Sequence, residues 1–334
     1  MKYIITVDAG TTNTRAILFD QNREMKAQES RPAGVRNTAI DGNNQKLRTA
    51  VRECLESLLA QENIGYDDIS MIIASGMITS NVGLVEIPHL TAPAGIRELA
   101  AGVTPVLLED VCPVPIHFIP GIKNTSAQIT LGNYEAMDIM RGEETESIAL
   151  INELPAGRRI LLVLPGSHTK FVSVNESGQI TGCLTTLTGE LLSVVTENTI
   201  IADAVGHRYV SADGYDADLL LTGYQNAQKT GLGRACFSCR ILSQFTAYSK
   251  EQLASYLLGA VLSSDVTSIR NSTALSVDPG CVVLVAGKEP LQRAICDVLR
   301  HDGFFSEVIA YAPSGSVPLS GAGALLIAHQ RNLL

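Results

Sequence analysis

The sequence predicts an α/β protein in which one architecture occurs twice, each copy with a mixed sheet and a cleft between the two. Three observations carry that prediction. Strand-like and helix-like hydrophobic patterns alternate along the chain rather than segregating into blocks. The order strand, strand, strand, helix restarts near residue 160, after the short turn-like stretch Leu154-Pro155-Ala156-Gly157. Each start carries a glycine hairpin of similar composition, Asp8–Arg15 in the first copy and Pro165–Lys170 in the second. The 334 residues have room for two domains at roughly 100–200 residues each. The expected division is 1–155 and 156–318, with a final helix at about 319–334 packing back on the first domain.

The elements follow in order. Tyr3–Asp8 and Arg15–Asp20 are apolar, β-rich runs on either side of Gly10-Thr11-Thr12-Asn13-Thr14, which reads as a hairpin. A third strand at Glu24–Ser30 completes a meander. Leu47, Val51, Leu55, Leu58 and Leu59 recur at helical spacing with charge opposite, predicting a helix over Gln45–Gln61. Ile69–Ala74 is a buried strand running into Ser75-Gly76-Met77. His117–Gly121 is another strand ending in a turn, and a helix occupies Gly142–Asn152. Beyond the hinge, Arg159–Leu164, Lys170–Val174 and Gln179–Leu184 repeat the meander. Helical patterns dominate from Thr188 to about Arg270. Cys281–Ala286 and Phe305–Ala310 read as strands, with helices at Glu289–Arg300 and Leu319–His329.

Composition excludes several classes. With 46% hydrophobic and 18% charged residues, the chain is neither disordered, collagenous nor a coiled coil. The 25 Lys and Arg against 34 Asp and Glu give a net charge of −9, a balance that suggests no surface for nucleic acid or anionic lipid. No segment approaches the ~20 apolar residues of a membrane span; the richest, Leu253–Leu262, contains Ser255, Tyr256 and Gly259. The apolar run at the N-terminus lacks the form of a signal peptide. Seven scattered cysteines suit free thiols, so the expected compartment is the cytoplasm. Cys236 and Cys239 have CxxC spacing without a second pair or nearby histidines, which does not make a zinc site.

The chemistry concentrates in the two hairpins. Each is an apolar strand, a Gly, two or three small polar residues, then a cation opening the return strand. Glycine lets the backbone approach an anion, and successive N–H groups in such a turn form an anion-binding concavity. Gly10, Thr11, Thr12, Asn13 and Arg15 could thus grip nucleotide phosphates from one side, and Gly166, Ser167, Thr169 and Lys170 from the other. Asp8, at a strand end, suits Mg²⁺, which prefers few carboxylates and keeps its waters. Neither a GxxxxGK[ST] loop nor a GxGxxG helix opening is present. Ala286-Gly287 ends a strand where a base or ribose could sit closely, while Gly321-Ala322-Gly323-Ala324 suits tight helix packing. Met140-Arg141-Gly142-Glu143-Glu144-Thr145 puts carboxylates in a first helical turn, where the dipole favours their anions. Such a carboxylate suits orienting an attacking hydroxyl in phosphoryl transfer.

With these residues the chain resembles the sugar kinase/heat-shock ATPase/actin superfamily, and more closely the 2-dehydro-3-deoxygalactonokinases. Asp8–Arg15, Ala74–Asn81, Pro88–Ala94, Met140–Thr145, Leu164–Lys170 and Thr188–Leu191 carry the resemblance. Ala9 departs from it, standing where the family usually has Trp, as does His89, where a Tyr is common. The resemblance implies two duplicated ribonuclease H-like (actin-like ATPase) domains. It also implies transfer of the ATP γ-phosphoryl group, with Mg²⁺, to the terminal (C6) hydroxyl of a 2-keto-3-deoxy sugar acid. Glu143 is then the first choice to orient that hydroxyl, with Glu144 and Asp138 in reserve. Lys170 and Arg15 stabilise charge, His168 shapes its turn, and Ala286 and Gly287 border adenosine. Ser75, Gly76, Met77, Ser80 and Asn81 line the sugar pocket, Arg141 meets the substrate carboxylate, and Glu190 its hydroxyls. A non-catalytic nucleotide or sugar sensor of the same fold and an ATPase or exopolyphosphatase are the rival readings. Oligomeric state is not legible in the sequence; a homodimer is the candidate.

Overall fold

A computed structural model describes residues 2–313 and 315–332. Met1 of the N-terminal run and residues 333–334 of the expected final helix lie outside the described residues. The first half contains β1 (Tyr3–Ala9), β2 (Thr14–Phe19), β3 (Met25–Arg31), α1 (Val35–Asp41), α2 (Gln45–Glu62) and β4 (Ile69–Gly76). It continues through β5 (Leu90–Thr91), α3 (Ile96–Gly102), β6 (Thr104–Val106), β7 (Ile116–Phe118), β8 (Ile122–Lys123), β9 (Ile139–Met140) and α4 (Glu143–Glu153). The second half opens with β10 (Ile160–Leu164), β11 (Thr169–Val174) and β12 (Ile180–Thr186). Helices α5 (Thr188–Asn198), α6 (Ala202–Val205), α7 (Ala217–Thr230), α8 (Leu232–Phe245) and α9 (Lys250–Asn271) follow. The chain then runs through β13 (Val282–Val285), α10 (Leu291–Asp302), β14 (Glu307–Ala310) and α11 (Leu319–Asn332).

The two large sheets have matching topology. Their orders are β3-β2-β1-β4-β7-β6 and β12-β11-β10-β13-β14. In each, three antiparallel strands form a meander, and the first of them also pairs in parallel with a strand from beyond the next helices. A further parallel strand extends both sheets, β7 beside β4 and β14 beside β13. This is the duplicated α/β architecture with two mixed sheets that the repeated meander predicts. Strands β1, β10 and β13 are buried on both faces, as sheet centres covered by helices must be.

The helices follow from their patterns and caps. In α2, Leu47, Val51, Leu55 and Leu58 are buried against β2 and β3, and Asn63 ends the helix in the left-handed conformation (φ 53°). Ser249 and Gln252 cap α9 reciprocally, Oγ accepting at 3.2 Å and Oε1 at 3.1 Å. The Leu253–Leu262 stretch is buried core within that helix, packed against α7 and α8. Among the described residues, no helix is long and apolar enough to cross a membrane. All seven cysteines are free, Cys236 and Cys239 lying on α8.

Helix α11 returns to the first half and packs against α4, α3, β1 and β4. A Cβ at Gly323 would collide with the Thr145 carbonyl of α4, so glycine there permits the close approach. An apolar cluster joins the two sheets through these helices, with Ile73, Leu162 and Val172 from strands, Ile148 and Leu150 from α4, and Ile327 from α11. Between α4 and β10, residues 155–158 are exposed.

Candidate active site

The site is built where strand ends, hairpins and the start of α4 converge. Parallel pairing of β1 and β4 sets Asp8 beside Ser75 and Ala9 beside Gly76. Gly76 has φ +87°, and a Cβ there would stand 2.8 Å from both Asp8 Oδ1 and the Ala9 carbonyl. Gly142, with φ +110°, sits against it; a Cβ on Gly142 would be 3.3 Å from the Gly76 Cα. Two glycines back to back therefore let the acidic start of α4 close on the end of β1.

Both hairpins are anchored from behind. Gly10 N–H donates to Asn13 O at 3.0 Å, closing the first turn. Its carbonyls are taken by the start of α1, Val35 N–H to Gly10 O (3.1 Å) and Arg36 N–H to Thr11 O (2.9 Å). A Cβ at Gly34 would collide with those carbonyls. The second hairpin has the same device: Glu190 N–H donates to Ser167 O at 3.1 Å, and Gly189 sits against the Gly166 carbonyl with no room for a Cβ. With the carbonyls held at the back, the N–H groups of Thr11, Thr12, Ser167 and His168 find no protein acceptor among the described residues. Such a pair of turns is suited to anionic oxygens.

Two adjoining cavities lie between the hairpins. One, about 210 Å³, is lined by Asp8, Gly10, Gly76, Glu143, Glu146, Pro165, Gly166 and Ser320 among others. The second, about 370 Å³, is lined by Thr11, Ser80, Asn81, Glu86, His89, Lys170 and Thr185 among others. Met77, Arg141, Glu143 and His168 border both.

The sequence model of the 2-keto-3-deoxy-galactonokinase family matches residues 8–315. The chain belongs to that family. It is an ATP-dependent carbohydrate kinase. A 2-dehydro-3-deoxygalactonokinase of Escherichia coli K12 is 26% identical over 307 residues, covering 90% of this chain and 92% of the relative. A solved Sinorhizobium meliloti structure, provisionally assigned as a 2-dehydro-3-deoxygalactonokinase, matches with a TM-score of 0.75 at 20% identity. That match covers 99% of this chain and 98% of the other and shows the shared fold.

In the kinase the first cavity is acidic. Burial raises the Asp8 carboxyl above the usual carboxylate range, with Glu143 adding repulsion against the pull of Ser320 and Arg15. Glu146 is pushed to about 8 by burial and by the charges of Asp8 and Glu143. The second cavity carries cations whose protons go to neutral oxygens. Arg141 donates to Thr79 Oγ1 and to Ile87 O, both at 2.7 Å. Lys170 Nζ donates to Ile139 O at 2.8 Å and to Thr185 Oγ1. His89, held down at about 4 by burial and by Arg141 and Lys123, is neutral beside them. Glu143 stands between, one carboxylate oxygen accepting the backbone N–H of Arg141 at 3.1 Å.

Other residues expected from sequence do not line either cavity. Glu144 is 1% exposed, and both its oxygens accept the Gly142 N–H (2.9 and 2.8 Å); it caps its own helix. Asp138 grips Thr185 instead, accepting its N–H at 2.6 Å and its hydroxyl at 2.9 Å, and so steadies the partner of Lys170. Neither reserve acid faces the cleft, because backbone and hydroxyl donors hold both carboxylates elsewhere. Thr12 and Asn13 form the exposed tip of the first turn, and Arg15 lies across the strands from Asp8. Ser167 is exposed on the second turn, while Ser75 and Thr169 are buried with unpartnered hydroxyls. Glu190 is exposed and pairs with His168 at 3.1 Å. Ala286 continues the β13–β10 pairing, and Gly287 (φ +105°) packs on Pro165, beside the second hairpin.

Sequence reading missed Glu146, Ser320, Glu86, Thr185 and the site position of His89. Glu146 had a signal: it follows Glu143 by three residues on one helix, so both share a face. Ser320 reaches Asp8 from the far end of the chain, and no local pattern announces it.

Proposed function

We propose that this kinase transfers the γ-phosphoryl group of ATP to the C6 hydroxyl of 2-dehydro-3-deoxy-D-galactonate or a close 2-keto-3-deoxy sugar acid. The supporting observation is the pair of joined cavities of opposite character meeting at Glu143. In this reading the hairpins at Gly10–Asn13 and Gly166–Thr169 hold the phosphates, with Arg15 and Lys170 offsetting their charge. Ala286 and Gly287 border the adenosine. The sugar acid occupies the larger cavity, its carboxylate toward Arg141 and its chain along Gly76, Met77, Ser80 and Asn81.

Three carboxylates, Asp8, Glu143 and Glu146, reach the smaller cavity. Among the described residues no group of three His, Cys, Asp or Glu is arranged to hold a metal unaided. That donor set fits Mg²⁺, an ion that keeps waters and shares phosphate oxygens. Asp8, with Glu146 behind it, would hold the ion, which when bound neutralises charge on the phosphates. Glu143 then orients the attacking hydroxyl; in phosphoryl transfer, positioning and electrostatics supply most of the catalysis. Domains 1–155 and 156–318, with the final helix returned to the first, close about Leu154–Gly157 and exclude water from the transfer.

Identification of the product tests the reading. Carbon and phosphorus NMR of the reaction with 2-dehydro-3-deoxy-D-galactonate should show phosphorus coupling at C6. Coupling at another carbon would refute the assigned position.

A further inference from the structure

A buried acid on α9 has no part in the machinery above. Asp265 is 6% exposed and lies beside Phe171, Leu262 and Val266, an apolar setting costly for a carboxylate. Its two oxygens share the hydroxyl proton of Thr188, at 2.7 and 2.6 Å, and Thr188 is itself 2% exposed. The Thr186 hydroxyl lies 2.8 Å from that of Thr188, extending the chain of bonds toward β12. Thr188 is the first residue of α5. The next two residues hold the second hairpin, Gly189 against the Gly166 carbonyl and Glu190 N–H on Ser167 O, and Glu190 also pairs with His168.

We infer that Asp265 is a positioning residue for the second glycine hairpin, acting through Thr188 and the start of α5. The carboxylate fixes the Thr188 side chain, Thr188 fixes where α5 begins, and that start fixes the turn that faces the phosphates. The first hairpin is secured differently, by Thr14 Oγ1 donating to Ala33 O at 2.8 Å, just before Gly34. This inference rests on the reading that the hairpins hold ATP phosphates.

Titrating the intact protein with ATP and with adenosine tests it, since adenosine has no phosphates to lose. A hydrogen bond to a charged group carries about a tenfold effect. Thr188→Val and Asp265→Leu should therefore weaken ATP binding by about tenfold and leave adenosine within about twofold. Asp265→Asn, which keeps an acceptor for the Thr188 hydroxyl, should restore ATP binding to within about threefold of wild type. Unchanged ATP affinity in Thr188→Val, or equal weakening of ATP and adenosine, would overturn the inference. Normal ATP binding without phosphorylation of any sugar acid would instead remove the substrate assignment and leave this inference standing.

Discussion

Glu143 and Glu144 are adjacent carboxylates with opposite fates, and replacing Glu144 with Gln separates them. The Glu144 carboxyl sits under α4 at 1% exposure, and burial, with the Glu143 charge, raises it from 4.5 to about 8. Between those values the folded protein keeps a proton that the unfolded chain has released. The contribution of Glu144 to stability therefore falls as pH rises from about 4.5 to about 8, by about 1.4 kcal/mol per pH unit, then levels off. Glu144→Gln has no proton to lose and still offers an oxygen to the Gly142 N–H. Its stability relative to wild type should rise with pH, gaining about 3 kcal/mol by about pH 7 and about 5 kcal/mol above about pH 8. Urea unfolding of both proteins across that range measures the difference, and Glu146 contributes to both and largely cancels. Turnover of the variant should stay within about twofold of wild type, because the side chain faces no cavity. A stability difference that does not change with pH, or a collapse of turnover, would show that Glu144 is not a buried acid standing outside the site.

Glu143→Gln should do the reverse, lowering kcat by about 10²–10⁴ with ATP affinity nearly unchanged; unaltered turnover would show that another group orients the hydroxyl. Arg141→Gln removes the guanidinium held by Thr79 and Ile87. It should raise the sugar-acid KM by about tenfold or more while sparing that for ATP, and steady-state kinetics with an unshifted KM would contradict the role. Gly76→Ala places a Cβ 2.8 Å from Asp8 Oδ1 at φ +87°. It should cost about 1–3 kcal/mol of stability together with activity, and a neutral result in thermal melts would argue against the close approach described.

The parts legible in the sequence were those with a repeating or chemical signature. The two meanders, the long helix α2, the strand ending at Gly76 and the acidic opening of α4 rest on period, glycine and charge. Their observed bounds differ from expectation by a residue or two, as strand ends must when pairing rather than pattern decides where they stop. The small sheet of β5, β8 and β9 was not legible, because two-residue strands contain no period to detect. The seven-residue helices α1 and α3 were missed for a related reason. Nothing in the local sequence marks the roles of Gly34 and Gly189, and only the fold reveals that each admits a helix start against a hairpin's carbonyls. The choice among Glu143, Glu144 and Glu146 depends on helix phase, since each residue turns the side chain by about 100°. That phase is set by Gly142 against Gly76, a contact between residues distant in sequence.

On the proposed function, ATP turnover in this cleft is coupled to a sugar-acid hydroxyl. ADP release by the purified kinase, measured with and without a panel of 2-keto-3-deoxy sugar acids, tests it most directly. ADP release should depend on one or more of those acids and be matched by phosphorylated sugar. Hydrolysis at the same rate with no sugar acid present would contradict it.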